Sequence, residues 1–176
     1  MRKTLGVALG LIAAGSTLLP MPSQAQVSAR HLAKEALQEC GQGRAAKVRE
    51  ARLTHFQTGQ ALAEQAVALD ERYADAHFSL FCNLGEQLRI DGESFKSAFG
   101  FRRMMNELNR TLELNPGHLD AISAKGTLLV KLPSLLGGDR EKGEQLLQQV
   151  VVFQLPSMKH SKDAAYNHWY FSTTRR

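Results

Sequence analysis

The chain lacks the short motifs by which catalytic, metal and nucleotide sites are usually recognised. No histidine lies three or four positions from another, so the sequence contains no His-Glu-x-x-His metal motif. It has no Gly-x-Ser-x-Gly turn, and Gly137-Gly138 is not followed by the Lys-Ser/Thr of a phosphate-binding loop. We therefore expect no enzymatic activity, no metal and no cofactor. The six histidines, which we interpret as surface or helix-end residues, are His31, His55, His77, His118, His160 and His168.

Basic side chains are scattered rather than clustered. The formal net charge is +5, and Arg2 and Lys3 at the N-terminus supply two of these charges. The closest basic clusters elsewhere, Arg102-Arg103 and Arg175-Arg176, are only two residues long. This distribution does not support nucleic-acid binding.

The N-terminus has the features of a secretory signal peptide. Arg2 and Lys3 precede an apolar run from residue 5 to 19, and Ser23-Gln24-Ala25 places small residues at the positions read by a signal peptidase. We predict a signal peptide over 1–25, cleaved after Ala25, and one mature domain over 26–176. An uncleaved membrane anchor is the alternative, but the apolar run is short for a span.

The expected destination is the bacterial periplasm, with no stable membrane insertion once the signal is cleaved. The short charged start is typical of a bacterial export signal. No cysteine follows the cleavage site, which excludes a lipid anchor there.

Apolar residues recur every three or four positions along the mature chain, and no segment alternates convincingly as a strand. Ser28, Ser94 and Asp139 are predicted helix N-caps, whereas Gly41 and Pro156 are predicted to end helices. The fold class is therefore predicted to be all-α. The predicted helices cover 28–40, 44–69, 76–90, 95–114, 119–132, 139–153 and 161–171.

Two segments of the chain match each other at an offset of 45 positions. Ala76 corresponds to Ala121 and Phe56 to Phe101, and Ala66-Val67-Ala68-Leu69-Asp70 aligns with the segment over 111–115. A unit that returns at fixed spacing predicts stacked helix pairs rather than one closed globule.

The junctions between these pairs resemble the tetratricopeptide repeat family. Leu112-x-Leu114-Asn115-Pro116 followed by Ala121 matches the family's Leu-x-Leu-Asp-Pro and Ala positions, and Gly126 matches the point of closest helix approach. The period departs from the family's value of about 34 residues, but the excess of about 11 equals three helical turns and would keep the same buried face. Glu71 replaces proline in the first junction, and Thr111 replaces alanine in the second.

The resemblance implies a right-handed stack of about three antiparallel helix pairs with lengthened helices, plus a C-terminal capping helix. Aromatic residues of that last helix would seal the open end of the stack, or alternatively form a binding patch. Self-association through an exposed end is a further expectation. These aromatics are Tyr166, Trp169, Tyr170 and Phe171.

In this family the first helix of each pair lines a concave groove that holds a protein or peptide partner. The face mapped here is mixed in polarity and lacks the Lys/Asn set that family members use to clamp a C-terminal carboxylate. The expected function is that of an adaptor with an unidentified protein or peptide partner. The alternative is that this face binds nothing specific. Helix capping would also explain Asp75 and Asp120 without a binding role, and a buried thiol would do the same for Cys82. The mapped residues are Asp75, Phe78, Cys82, Glu86, Asp120, Ser123, Thr127 and Lys131.

A second resemblance concerns the loop over 132–139. Its Pro-x-x-x-Gly-Gly-Asp pattern, followed by Lys142-Gly143, resembles the loop of the periplasmic T component of TRAP transporters. That resemblance implies, as an alternative, a small-solute-binding accessory of a transporter. The residues themselves favour a tight turn and an N-cap at Asp139.

Only two cysteines, Cys40 and Cys82, would enter the oxidising compartment. With Cys40 at the end of the first helix and a long second helix before Cys82, the two would lie roughly 25 Å apart along the stack. That distance is outside bridging range, so a disulfide is not expected. A break in the second helix near Gly59 would favour one.

Overall fold

The computed structural model describes residues 24–91 and 95–158, and within them it is helical and contains no strand. This confirms the all-α prediction. The helices are α1 (Gln24–Ala45), α2 (Arg49–Leu69), α3 (Ala74–Asp91), α4 (Phe95–Leu114), α5 (Leu119–Lys131) and α6 (Arg140–Met158), with a 3₁₀ turn at Ser134–Leu136.

The helices are arranged in pairs, as the repeated junctions predict. α1 packs on α2, α3 on α4 and α5 on α6, and α3 also packs on both α1 and α2. Short connections join the two helices of a pair, so the helices within a pair run antiparallel. Residues 1–23 of the predicted signal peptide, the Ser94 cap and the last helix with its aromatic residues lie outside the described residues.

Small residues allow the first three helices to approach closely. Ala33, Ala66 and Ala76 form one buried cluster, and the next turn adds Ala36 and Ala63. Ala33 of α1 thus lies level with Ala76 of α3, and one turn further along Ala36 lies level with Leu80. The two helices therefore run parallel and in register.

The first helix is longer than the sequence predicts at both ends. It begins at Gln24, so Ser28 lies inside it and the prediction of an N-cap there was wrong. Gly41 lies within α1, which continues to Ala45, and α2 begins at Arg49 rather than at residue 44. The prediction that glycine ends this helix was wrong. Gly43 is buried against the Phe56 ring, where a Cβ atom would overlap the ring. This glycine therefore provides close helix packing rather than a helix end.

Cys40 and Cys82 form a disulfide, with their Cα atoms 6.4 Å apart. The expectation that they would not pair was wrong. The main reason is the extra length of α1: the turn into α2 lies beyond Cys40, so Cys40 packs beside Phe56 instead of at the hairpin tip. The parallel register of α1 and α3 then brings Cys82 into the same cluster.

His77 is also placed differently from the prediction of a surface or helix-end position. It is 4% exposed, its Nδ1 lies 2.7 Å from Glu107 Oε2, and its Nε2 lies 2.8 Å from the Glu71 carbonyl oxygen. Burial alone would lower the pKa of His77, but the Glu107 carboxylate and the Glu71 carbonyl together raise it above its ordinary value. The ring links α3 to α4 and to the loop before α3.

The third pair is held together by two glycines. Gly126 of α5 and Gly143 of α6 face each other so closely that a Cβ on Gly126 would lie 3.0 Å from the Gly143 carbonyl oxygen. This confirms Gly126 as a point of close helix approach.

The loop before α6 has a structural role. Gly137 adopts φ 86°, a left-handed conformation that favours glycine. Asp139 Oδ1 accepts a hydrogen bond of 3.0 Å from the Lys142 backbone N–H, which confirms the predicted cap.

Helix α6 runs two residues past Pro156 to Met158, so the predicted end was slightly early. No described helix is both long enough and apolar enough to cross a membrane.

Candidate binding groove

A cleft of 530 Å³ lies between α3, α4 and α5, with the end of α1 at one side. Its floor continues the largest buried cluster among the described residues, because several of its apolar side chains also pack on that cluster. The floor is therefore held in place by the core. The apolar floor residues are Phe81, Leu88, Phe101, Met104 and Leu128.

The rim of the cleft carries charged side chains from three helices. Glu86 is the buried member, with a side chain only 5% exposed. It accepts a 2.7 Å hydrogen bond from Arg44 Nε and lies 3.3 Å from Arg89 Nη1. Lys131 projects from the last turn of α5 and is exposed. The rim thus carries three cations and one carboxylate, and two of the cations, Arg44 and Arg89, contact that carboxylate.

Four of the eight groove residues predicted from the sequence line this cleft: Cys82, Glu86, Thr127 and Lys131. Cys82 takes part through its disulfide rather than as a free thiol. Of the other four, Asp120 is exposed and Ser123 half-buried on α5, and the structure does not bring them into the cleft.

Asp75 and Phe78, the remaining two, belong to a polar cluster nearer the start of α3. Asp75 Oδ2 accepts a 2.7 Å hydrogen bond from the Tyr73 hydroxyl, and Asp75 Oδ1 accepts one of 3.1 Å from His118 Nε2. The His118 hydrogen bond is the main reason that the pKa of Asp75 is lowered. Burial, together with Asp75, raises the pKa of Tyr73 to about 12.

His118 connects this cluster to α5. Its Nδ1 accepts a 3.2 Å hydrogen bond from the Ala121 backbone N–H and so caps α5. Because Nδ1 is an acceptor, the ring hydrogen is on Nε2, which donates to Asp75. The ring also packs against Phe78, with centroids 4.6 Å apart.

Beside the cluster is a smaller pocket of 240 Å³ against α1. Arg30 and Lys34 line it, with Tyr73 and Asp75 opposite. The Arg30 guanidinium lies 5.7 Å from the Tyr73 ring centroid, in cation–π range. The Phe78 ring contacts Phe81, a floor residue of the larger cleft, at 5.8 Å between centroids. Phe78 therefore lies between Phe81 of the larger cleft and His118, whose ring in turn bonds Asp75 of the smaller pocket.

Several groove residues were not predicted from the sequence. Arg89 follows Glu86 by three residues on one helix, a spacing that could have indicated their pairing. Arg44 could not have been found, because it was predicted to open the second helix. In the sequence Phe101 stood out only as the repeat counterpart of Phe56 and as a core position, and Met104 was not singled out.

The described residues contain no group of three histidine, cysteine, aspartate or glutamate side chains that could hold a metal ion. The groove instead offers hydrogen bonds, charge and apolar surface, which is the chemistry of non-covalent binding.

The chain matches no protein-family model, and no curated protein or solved structure is significantly similar to it.

Proposed function

We propose that this chain is an exported, non-enzymatic, tetratricopeptide-like module that binds a peptide segment of a partner protein in its groove. The observation that carries the proposal is the cleft of 530 Å³, which combines a core-supported apolar floor with a charged rim. Such a surface can bury apolar side chains of a ligand while its rim orients polar ones. The family resemblance at the repeat junctions supports the same function.

The state of the groove's reactive side chains also favours binding over catalysis. Cys82, which could act as a nucleophile as a free thiol, is bonded to Cys40. Glu86 is engaged by two arginines, and Asp75, in the cluster beside the cleft, accepts hydrogen bonds from Tyr73 and His118. These groups are arranged to hold the helices and shape the groove.

A small-solute-binding accessory of a transporter is the second candidate. The volume of the cleft falls in the range of about 300–1,000 Å³ that is typical of small-molecule sites. The loop that suggested this function does not line the cleft, however, and Gly137 and Asp139 in it have the turn and capping roles described above. The peptide function is therefore preferred.

The test is selection of random twelve-residue peptides displayed on phage against the mature chain, 26–176. We expect enriched peptides whose binding is lost in Thr127→Trp, because Thr127 lines the cleft and a tryptophan there would fill it. Gln148→Trp is the matched control, since Gln148 is exposed on α6 and does not line the cleft.

Peptides that bind both variants equally, or no enriched peptide at all, would overturn the proposal. A thermal-shift screen of small carboxylates on the same variants then tests the second candidate. A shift that Thr127→Trp abolishes, in the absence of any peptide binding, would favour a small solute.

A further inference from the structure

We infer that the groove selects an acidic peptide of about six or seven residues that carries apolar side chains between its carboxylates. This inference rests on the proposed function and specifies the chemistry of the ligand.

The charge of the cleft favours an anionic ligand. Arg44, Arg89 and Lys131 place three positive charges at the rim, against the single negative charge of Glu86. Glu86 already accepts hydrogen bonds from both arginines. Lys131 is exposed and has no ion-pair or hydrogen-bond partner among the described residues, so its ammonium group is available to a ligand. A ligand carboxylate would meet a net charge of +2.

The floor of the cleft favours apolar side chains next to those carboxylates. Phe81, Phe101 and Leu128 are half-buried and lie beneath the charged rim. A wholly charged peptide would leave this apolar surface in contact with water. A side chain of leucine or phenylalanine size would cover it and gain the free energy of burial.

The length follows from a second basic region at the other end of α1. Arg30 and Lys34 line the smaller pocket and outnumber its one carboxylate, Asp75, whereas Arg44 is at the main cleft. The 14 residues from Arg30 to Arg44 span about 21 Å along a helix. An extended chain advances about 3.3 Å per residue, so about six residues cover this distance. Phe78 and Phe81 lie between the two basic regions on α3 and provide an aromatic surface for the middle of the peptide.

The experiment uses three pools of fluorescein-labelled eight-residue peptides that differ only in charge. Every pool contains leucine and phenylalanine. The acidic pool adds aspartate and glutamate, the neutral pool asparagine and glutamine, and the basic pool lysine and arginine. Binding to the mature chain is measured by fluorescence anisotropy at low and high salt. We expect the acidic pool to bind about tenfold more tightly than the neutral pool, and the basic pool to bind weakest. The difference should shrink in high salt because the rim is open to solvent.

Two charge reversals locate the contacts. Lys131→Glu should weaken binding of the acidic pool by about tenfold and leave the neutral pool nearly unchanged. Lys142→Glu is the matched control, since Lys142 is exposed on α6 and does not line the cleft. Arg30→Glu should weaken acidic eight-residue peptides but not acidic four-residue peptides, because four extended residues advance only about 13 Å, less than the length of α1 between Arg30 and Arg44.

Equal binding of the acidic and neutral pools, preference for the basic pool, or equal effects of Lys131→Glu and Lys142→Glu would overturn the inference. These results are distinguishable from failure of the proposed function. If phage selection yields cleft-binding peptides that are neutral or basic, the peptide function stands and the acidic ligand is wrong. If no peptide is sensitive to Thr127→Trp, both are wrong.

Discussion

Loss of the Cys40–Cys82 disulfide should remove a large part of the stability of this protein. The bond joins residues separated by 42 positions in sequence, so it closes a long loop of the unfolded chain. In the chain-entropy description, closing a loop of that length stabilises the folded state by about 4 kcal/mol at 25 °C. A single domain is typically stable by only about 5–15 kcal/mol, so the loss would be severe.

The measurement is urea unfolding of the mature chain, followed by circular dichroism, with the disulfide intact and after reduction in the unfolded state. We expect the free energy of unfolding to fall by about 4 kcal/mol on reduction. The melting temperature should fall by about 8–16 °C, from the usual dependence for a chain of this size. Reduction keeps both sulfur atoms in the core, so the measured loss excludes most of the effect of a cavity.

Alanine variants provide the control. Cys40→Ala and Cys82→Ala each abolish the same bond, so the double variant should be little less stable than either single variant. Reductant should have no effect on the double variant. Identical unfolding curves for the oxidised and reduced wild-type protein, or two free thiols titrated in the oxidised unfolded chain, would refute the reasoning.

Two further perturbations test the packing and the electrostatics. Gly59→Ala should destabilise the fold by about 1–3 kcal/mol, because the added Cβ would overlap the Asn83 side chain. Gly41→Ala is the control: a Cβ there would have nothing within 4 Å, so this variant should be neutral or stabilising. Equal urea midpoints for the two variants would contradict the close approach of α2 and α3. The His77–Glu107 pair should add pH-dependent stability, because the pKa of His77 in the folded protein is raised above its ordinary 6.5. This stabilisation is fully present below about pH 6.5 and is lost as the pH rises through the pKa that His77 has in the folded protein. Urea midpoints measured from pH 5 to 9 should therefore fall less steeply above pH 6.5 in His77→Gln than in the wild type, and parallel profiles would show that the pair does not titrate in this way.

The candidate groove was predictable in part from the sequence. Cys82, Glu86, Thr127 and Lys131 were found because the family resemblance implies which helices line the groove, and positions on one face of a helix follow from its local period. The apolar floor was not found as a ligand surface, because Phe101 and Met104 have the spacing of core residues and the sequence does not show that the core opens there. His118 was interpreted as a surface or helix-end residue. It does cap α5, but its hydrogen bond to Asp75, 43 positions earlier, depends on how the helix pairs are placed against one another.

By itself the sequence determined that this protein is built of α-helices arranged in pairs, because helix periodicity and turn residues act over a few neighbouring positions. It also fixed the bounds of α4, the cap of α6 at Asp139 and the close contact at Gly126. Only the tertiary structure decided the pairing of the cysteines. Each residue added to the end of a helix moves the facing residues by about 1.5 Å, so the extra length of α1 placed Cys40 beside Phe56 and Cys82. The reason is physical: glycine is compatible with both a helix end and a close helix contact, and only the neighbouring helix determines which role Gly43 has.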